Sequence, residues 1–112
     1  MRKVLFVCTA NLQRSPTAEQ IFQGWKGIWE AKSAGIMPEL GCTPLSQKII
    51  DWADVIIVME ILHSQYIRTH FQRAANKISV LGIPDRYFRN EPKLQEELHN
   101  KVPSILERAG TT

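Results

Sequence analysis

The 112-residue chain has six glycines, and none precedes Gly24. That absence removes both the glycine-rich nucleotide loop ending in Lys-Ser/Thr and the dinucleotide-binding fingerprint, each of which needs glycine between a first strand and a first helix. ATP and NAD are therefore not expected as cofactors. The two cysteines, Cys8 and Cys42, are too few for a disulfide framework, and neither stands in a Cys-x-x-Cys pair or near a histidine at zinc-ligand spacing. No metal site follows. No apolar run approaches the ~18–20 residues needed to cross a bilayer, and the stretch from Met1 to Val7 is too short for the core of a signal peptide. This predicts a soluble, cytoplasmic protein with no membrane partner. Fourteen Lys and Arg against eleven Asp and Glu give a formal charge of +3 without a run of five or six like charges, so anionic partners are permitted but nucleic acid is not implied. The length suits a single domain spanning 1–112. Oligomeric state is left open.

What the chain does contain is an alternation. Val4-Leu5-Phe6-Val7, Val55-Ile56-Ile57-Val58 and Ile78-Ser79-Val80-Leu81 are short apolar runs of the kind that form parallel strands covered on both faces. Trp29 to Ala34 alternates apolar with polar side chains, as a half-exposed edge strand does, and ends at Gly35. Helical patterns separate these runs. The first has Ser15 as N-cap, Pro16 at the first helical position and Ala18, Ile21, Phe22 and Trp25 along one stripe, with Gly24 and Gly27 at its end. A second begins at Thr43-Pro44 and places Leu45, Ile49, Trp52 and Ala53 on one face; a third runs roughly from Leu62 to Gln72 and buries Leu62, Tyr66, Ile67 and Phe71. The last starts near Glu91-Pro92 and aligns Leu94, Leu98, Val102, Ile105 and Ala109, with Pro103 expected to kink or divide it. Strand and helix in strict alternation predict an α/β fold, a three-layer doubly wound four-stranded parallel sheet of order 2-1-3-4 with helices on both faces. Ligands in such sheets sit at the carboxyl ends of the strands, where the winding reverses, between the first strand and the third.

The segment Cys8-Thr9-Ala10-Asn11-Leu12-Gln13-Arg14-Ser15 lies at that point. A helix N-terminus presents unpaired N–H groups and a partial positive charge, so a loop wrapped over it suits a phosphate-sized anion. The same field stabilises a thiolate, which makes Cys8 a candidate nucleophile. Arg14 supplies the planar fork that can hold two oxygens of a phosphoryl group. Asn11 tolerates left-handed backbone angles and can hydrogen-bond locally.

With those residues in place, Val4-Leu5-Phe6-Val7-Cys8-x-x-Asn11-x-x-Arg14-Ser15-Pro16-x-Ala18-Glu19 resembles the active-site opening of the low-molecular-weight protein tyrosine phosphatases, and Ser33-Ala34-Gly35 and Ala53-Asp54-Val55-Ile56-Ile57-Val58-Met59 are similar to later landmarks of that family. The resemblance implies a short, bacterial-type member. It also implies a metal-free phosphomonoester hydrolase, of the phosphotyrosine type, working through a cysteinyl-phosphate. In that reading Cys8 is the nucleophile, Arg14 the phosphate clamp, Asn11 a brace and Ser15 a hydroxyl donor to the thiolate. Thr9, Ala10, Leu12 and Gln13 complete the phosphate-binding loop. The chain departs from the pattern at Ala10, where the family has glycine, and at Gln13, where a second cysteine is common. Ala10 raises the question of a positive φ that alanine adopts only at a cost.

The mechanism also needs a proton donor from a second loop at the same sheet edge. Asp85 follows the fourth apolar run, and Asp85-Arg86-Tyr87-Phe88 is similar to the family's acid loop with Arg86 in the proline position. Tyr87 and Phe88 are candidates for one wall of the substrate cleft, Ile36 and Met37 for the other. Arg86 and Arg89 offer a place for a second anionic group. The expected partner is a phosphorylated protein or a small phosphoester. Cys42 reads as a small, semi-buried residue; His63, His70 and His99 read as solvated or capping residues on helix surfaces; Trp25, Trp29 and Trp52 read as core. Two other classes stay open: a phosphate- or phosphopeptide-binding module without turnover, and a thiol-dependent arsenate reductase using Cys42.

Overall fold

The first strand, β1 (Arg2–Cys8), is apolar on alternate residues in both directions, and this dictates the layering of the molecule. In the computed structural model, which describes residues 1–110, Val4, Phe6 and Cys8 face one core and Leu5 and Val7 face a second. The first core is completed by Ala18 and Phe22 of α1 (Arg14–Phe22) and by Leu94, Leu98, Val102 and Leu106 of α4 (Pro92–Gly110). The second takes Ile50 of α2 (Gln47–Trp52) and Ile67 of α3 (Ile61–His70). Side chains at successive strand positions point to opposite faces, so the stretch of β1 from Val4 to Cys8, apolar on both, needs a helix layer on each side.

The remaining strands are β2 (Trp29–Gly35), β3 (Val55–Val58) and β4 (Ile78–Val80), all parallel, in the expected order β2-β1-β3-β4. Register brings Cys8 opposite Gly35 and Val7 opposite Val58, so the loops after β1, β2 and β3 emerge side by side. No helix among the described residues is long and apolar enough to cross a membrane.

Several boundaries differ from the sequence expectations. Helix α1 begins at Arg14 with Gln13 in the N-cap position, so Ser15 lies inside the helix, and Trp25 sits in a separate short turn after the left-handed Gly24. Helix α2 begins only at Gln47, because the Ser46 hydroxyl caps the Ile49 amide at 3.2 Å; Leu45 precedes the helix and Ala53 follows it. Leu62 is exposed and Tyr66 half-buried in α3, leaving Ile67 as the apolar anchor. Strand β4 is an edge strand of three residues with Val80 exposed, not one covered on both faces. Helix α4 continues through Pro103 without dividing. An interior proline costs about 3 kcal/mol, whereas each of the four fully buried Leu and Val side chains on this helix contributes about 1.5–3 kcal/mol. Packing wins.

Candidate active site

The turn from Cys8 to Arg14 is shaped from outside. The carbonyls of Cys8, Thr9 and Ala10 accept hydrogen bonds from the amides of Ile36, Met37 and Glu39 at 3.1, 2.8 and 3.0 Å. With its carbonyls drawn toward the 36–39 loop, the turn keeps its own N–H groups for another acceptor: among the described residues, the amides from Thr9 to Gln13 donate to none. A row of unpaired amides at the start of a helix is a binding surface for an anion.

The backing loop approaches this closely because residue 35 has no side chain. A Cβ on Gly35 would stand 2.7 Å from the Thr9 carbonyl oxygen and 2.8 Å from the Asn11 amide nitrogen. The left-handed residue of the turn is Asn11, at φ 55°, and Ala10 has no positive φ. The alanine in the family's glycine position therefore carries no backbone penalty here.

Asn11 ties the turn together with its side chain. Its Nδ2 donates to Ser15 Oγ and Ser33 Oγ, each at 2.9 Å, and its Oδ1 accepts the Thr43 amide at 2.9 Å. Ser33 in turn donates to Glu19 Oε1. Ser15 Oγ accepts from Asn11 and lies 3.0 Å from Cys8 Sγ, a contact in which either atom can donate, with the Ala34 carbonyl at 3.5 Å as a second, longer acceptor for the Ser15 hydroxyl. Cys8, Asn11 and Ser15 are all buried. The serine read as a cap is turned inward to the sulfur instead, and Gln13 stands in the N-cap place without a side-chain cap.

Arg14 is 1% exposed and held at several points. Nη1 donates to Glu60 Oε1 at 2.5 Å and to the Ile83 carbonyl at 2.8 Å, Nη2 lies 3.5 Å from Thr9 Oγ1, and Nε is 3.8 Å from Asp85 Oδ1. A buried guanidinium needs such partners, since an unpaired buried charge destabilises by several kcal/mol. Glu60 was not singled out by the sequence. Nor was the use made of His63, which is fully buried and not on a surface. Its Nδ1 accepts the Glu60 amide at 3.0 Å, so the neutral ring carries its proton on Nε2 and donates it to Thr9 Oγ1 at 2.9 Å. Burial, and then the Arg14 charge, push the His63 pKa down to about 4. The signal available for both residues was the Glu-x-x-His spacing directly after β3, a helix-capping pattern.

Asp85 reaches the same edge from the loop after β4, with its side chain 64% exposed. Tyr87 is nearly buried in the first core with the Arg86 guanidinium over its ring, 5.4 Å from Cζ to centroid, while Phe88 is exposed. Ile36 packs into the second core and Met37 is exposed. Phe88 and Met37 are thus the freer of the four cleft candidates. A depression lined by Glu60, Ile61, Leu62, Gly82 and Pro84 adjoins Asp85, a wall that the sequence did not suggest. Cys42, half-buried, lies in the 36–45 loop with its amide on the Glu39 carbonyl. His70 is exposed and stacks on Tyr66; His99 lies 5.9 Å from the Phe22 ring. Trp29 is fully buried, whereas Trp25 and Trp52 are only partly so.

Residues 3–51 match the family described as low molecular weight phosphotyrosine protein phosphatase. The chain is 33% identical over 90 residues to the low molecular weight protein-tyrosine-phosphatase PtpB of Staphylococcus aureus, covering 62% of this chain and 64% of that protein. It is 27% identical over 106 residues to the protein-arginine-phosphatase of Bacillus subtilis (strain 168), covering 70% and 69%. The crystal structure of a YwlE mutant from Bacillus subtilis superposes with a TM-score of 0.75 at 20% identity, covering 99% of this chain and 98% of that one, a likeness of fold. The resemblance read from the sequence thus holds in both sequence and fold, with the chain spanning 64% of the PtpB length. The matched family region contains the turn at 8–15 but ends before Asp85.

Proposed function

Starting from a chain with the fold of the low-molecular-weight protein tyrosine phosphatases and, over residues 3–51, that family's sequence pattern, we propose that it hydrolyses phosphomonoesters through a covalent cysteinyl-phosphate. The observation that carries this reading is the assembly around one point of a buried sulfur with a hydroxyl at 3.0 Å, a row of unpaired amides and a guanidinium fixed by Glu60 and Ile83.

In the first step Cys8 Sγ attacks phosphorus in line. An S–P bond forms as the P–O bond to the leaving group breaks, and Asp85 delivers the proton to the departing oxygen. The amides of Thr9 to Gln13 and the Arg14 guanidinium hold the equatorial oxygens, whose charge is greatest in the transition state. In the second step Asp85, now a carboxylate, takes a proton from water as the water oxygen attacks phosphorus; a P–O bond forms while the S–P bond breaks, returning the thiolate and inorganic phosphate. Asn11 and Ser15 position the sulfur, and Thr9, Ala10, Leu12 and Gln13 complete the turn. Phe88 and Met37 border the cleft, with Tyr87 and Ile36 packed behind them in the two cores, and phosphotyrosine-type esters are the preferred substrates.

Hydrolysis of nitrophenyl phosphate tests the assignment. The wild-type chain is expected to turn over and Cys8→Ser to show no more than a trace. Phosphate binding without turnover by the wild type would favour a binding module instead. A second reading, phosphoarginine as substrate, is favoured by the match to the Bacillus subtilis arginine phosphatase over 70% of this chain. The same cradle and acid serve a departing nitrogen. Comparing kcat/KM for phosphotyrosine and phosphoarginine separates the two.

A further inference from the structure

Asp85 is carried by a loop with little structure of its own. Between Ile83 and Glu91 the backbone closes only two short turns, from the Arg86 amide to the Pro84 carbonyl at 3.0 Å and from the Glu91 amide to the Phe88 carbonyl at 3.1 Å. The loop is fixed from outside at both ends, with the Tyr87 ring between them buried in the first core. At the near end Ile83 donates its amide to the Met59 carbonyl at 2.8 Å and accepts Arg14 Nη1 on its own carbonyl. At the far end the Arg89 amide donates to Gln13 Oε1 at 2.5 Å and the Asn90 amide to Thr17 Oγ1 at 2.9 Å, with Asn90 turned at φ 62°. Thr17 donates its hydroxyl to the Gln13 carbonyl at 2.7 Å, so the two far-end acceptors are joined to each other in the first turn of α1. That turn also carries Arg14.

We propose that Gln13 is a positioning residue for Asp85: by accepting the Arg89 amide it pins the far end of the acid loop to the helix turn that carries Arg14, so proton donor and guanidinium keep a fixed separation. The inference rests on the reading of Asp85 as general acid. Arg86 occupies a place where proline would limit φ, and the pin supplies from outside the restraint that the loop lacks within itself. Without the Gln13 contact the loop keeps its Asn90 contacts to Thr17 and Gln95 and the buried Tyr87 ring, so Asp85 loses one restraint and spends more of its time away from the leaving oxygen.

The test is kcat/KM for two esters, nitrophenyl phosphate, whose leaving group needs little protonation, and phenyl phosphate, whose leaving group needs it fully. This parameter reports the step in which the P–O bond breaks. Gln13→Met keeps the length and removes the acceptor. It is expected to lose about three- to tenfold more on phenyl phosphate than on nitrophenyl phosphate, the range that one neutral hydrogen bond supports. Gln13→Glu keeps an acceptor oxygen and is expected to restore the ratio between the two esters, even if its charge lowers both rates. In an Asp85→Asn background the ratio is expected to stop responding to residue 13. Inhibition by inorganic phosphate monitors the cradle in each variant. Equal losses on both esters, or a ratio change that persists without Asp85, would overturn the inference while leaving the phosphatase reading in place. A wild-type chain that hydrolyses neither ester overturns both.

Discussion

The turn at 8–15 and the loop at 84–90 face the same point and are built in opposite ways. The turn buries Cys8, Asn11, Arg14 and Ser15, the carbonyls of Cys8, Thr9 and Ala10 are spoken for by the 36–39 loop, and Asn11, Ser15 and Arg14 each make more than one hydrogen bond. The acid loop is largely exposed and stands on contacts at its two ends and on the one buried ring of Tyr87 between them. The difference follows from the work proposed for each. Charge stabilisation requires dipoles that do not reorganise during reaction, and burial with paired side chains achieves that. A proton donor must reach the leaving oxygen and also admit substrate and water, which a loop in solvent does better.

The largest way to break the comparison is at Arg14, whose single side chain serves the rigid region and also touches the other through Ile83 and Asp85. Arg14→Lys cannot bond Glu60 and the Ile83 carbonyl while also presenting two donors to the anion. It is expected to lower kcat/KM by about 10²–10³; a loss of less than tenfold would show that the guanidinium is not the clamp. Asp85→Asn is next, and its effect depends on substrate. The loss in kcat/KM on phenyl phosphate is expected to reach about 10²-fold, against less than about tenfold on nitrophenyl phosphate. Equal losses would mean that Asp85 only shapes its loop.

Gly35→Ala attacks the rigid region without touching a reacting group. Its Cβ would meet the backbone of Thr9, Ala10 and Asn11, so unfolding stability should fall by about 1–3 kcal/mol and phosphate inhibition should weaken with it. Unchanged urea midpoints and phosphate inhibition would remove the close approach from the account. The smallest expected effect is the pH dependence of His63. Its folded pKa of about 4 lies below the ordinary 6.5 because the buried ring is held neutral. As pH falls from about 6.5 to about 4, the unfolded chain takes up a proton that the folded chain refuses, so stability drops through that window and levels off below it. Urea midpoints for wild type and His63→Gln should converge from pH 7 toward pH 4; a constant difference would contradict the neutral, buried ring.

Much of this was legible in the chain because it is local. Apolar runs separated by helical stripes specify a parallel sheet, and the order β2-β1-β3-β4 then places residues 8–15 at the switch point. Asn11 at a left-handed position follows from short-range pattern, whereas the start of α1 at Arg14 comes earlier than the Ser15-Pro16 pattern indicates. What was not legible depends on contacts between residues far apart in sequence. Glu60 meets Arg14 across 46 positions, His63 meets Thr9 across 54, and nothing near either residue names its partner. Ser15 reads as a helix cap until its hydroxyl is seen against Cys8. Gly35 reads as the end of a strand, although its role is to admit the neighbouring backbone. The three residues of β4 have an apolar pattern that cannot distinguish an edge strand from an inner one.

The claim on which the rest depends is that phosphate passes through a covalent bond to Cys8. Rapid acid quench during turnover of nitrophenyl phosphate, followed by mass spectrometry of the peptide containing residue 8, measures it directly. The account predicts a phosphoryl group on Cys8 that accumulates when Asp85→Asn slows hydrolysis of the intermediate. Steady release of phosphate with an unmodified Cys8 peptide, or with the phosphoryl group on another residue, would contradict it.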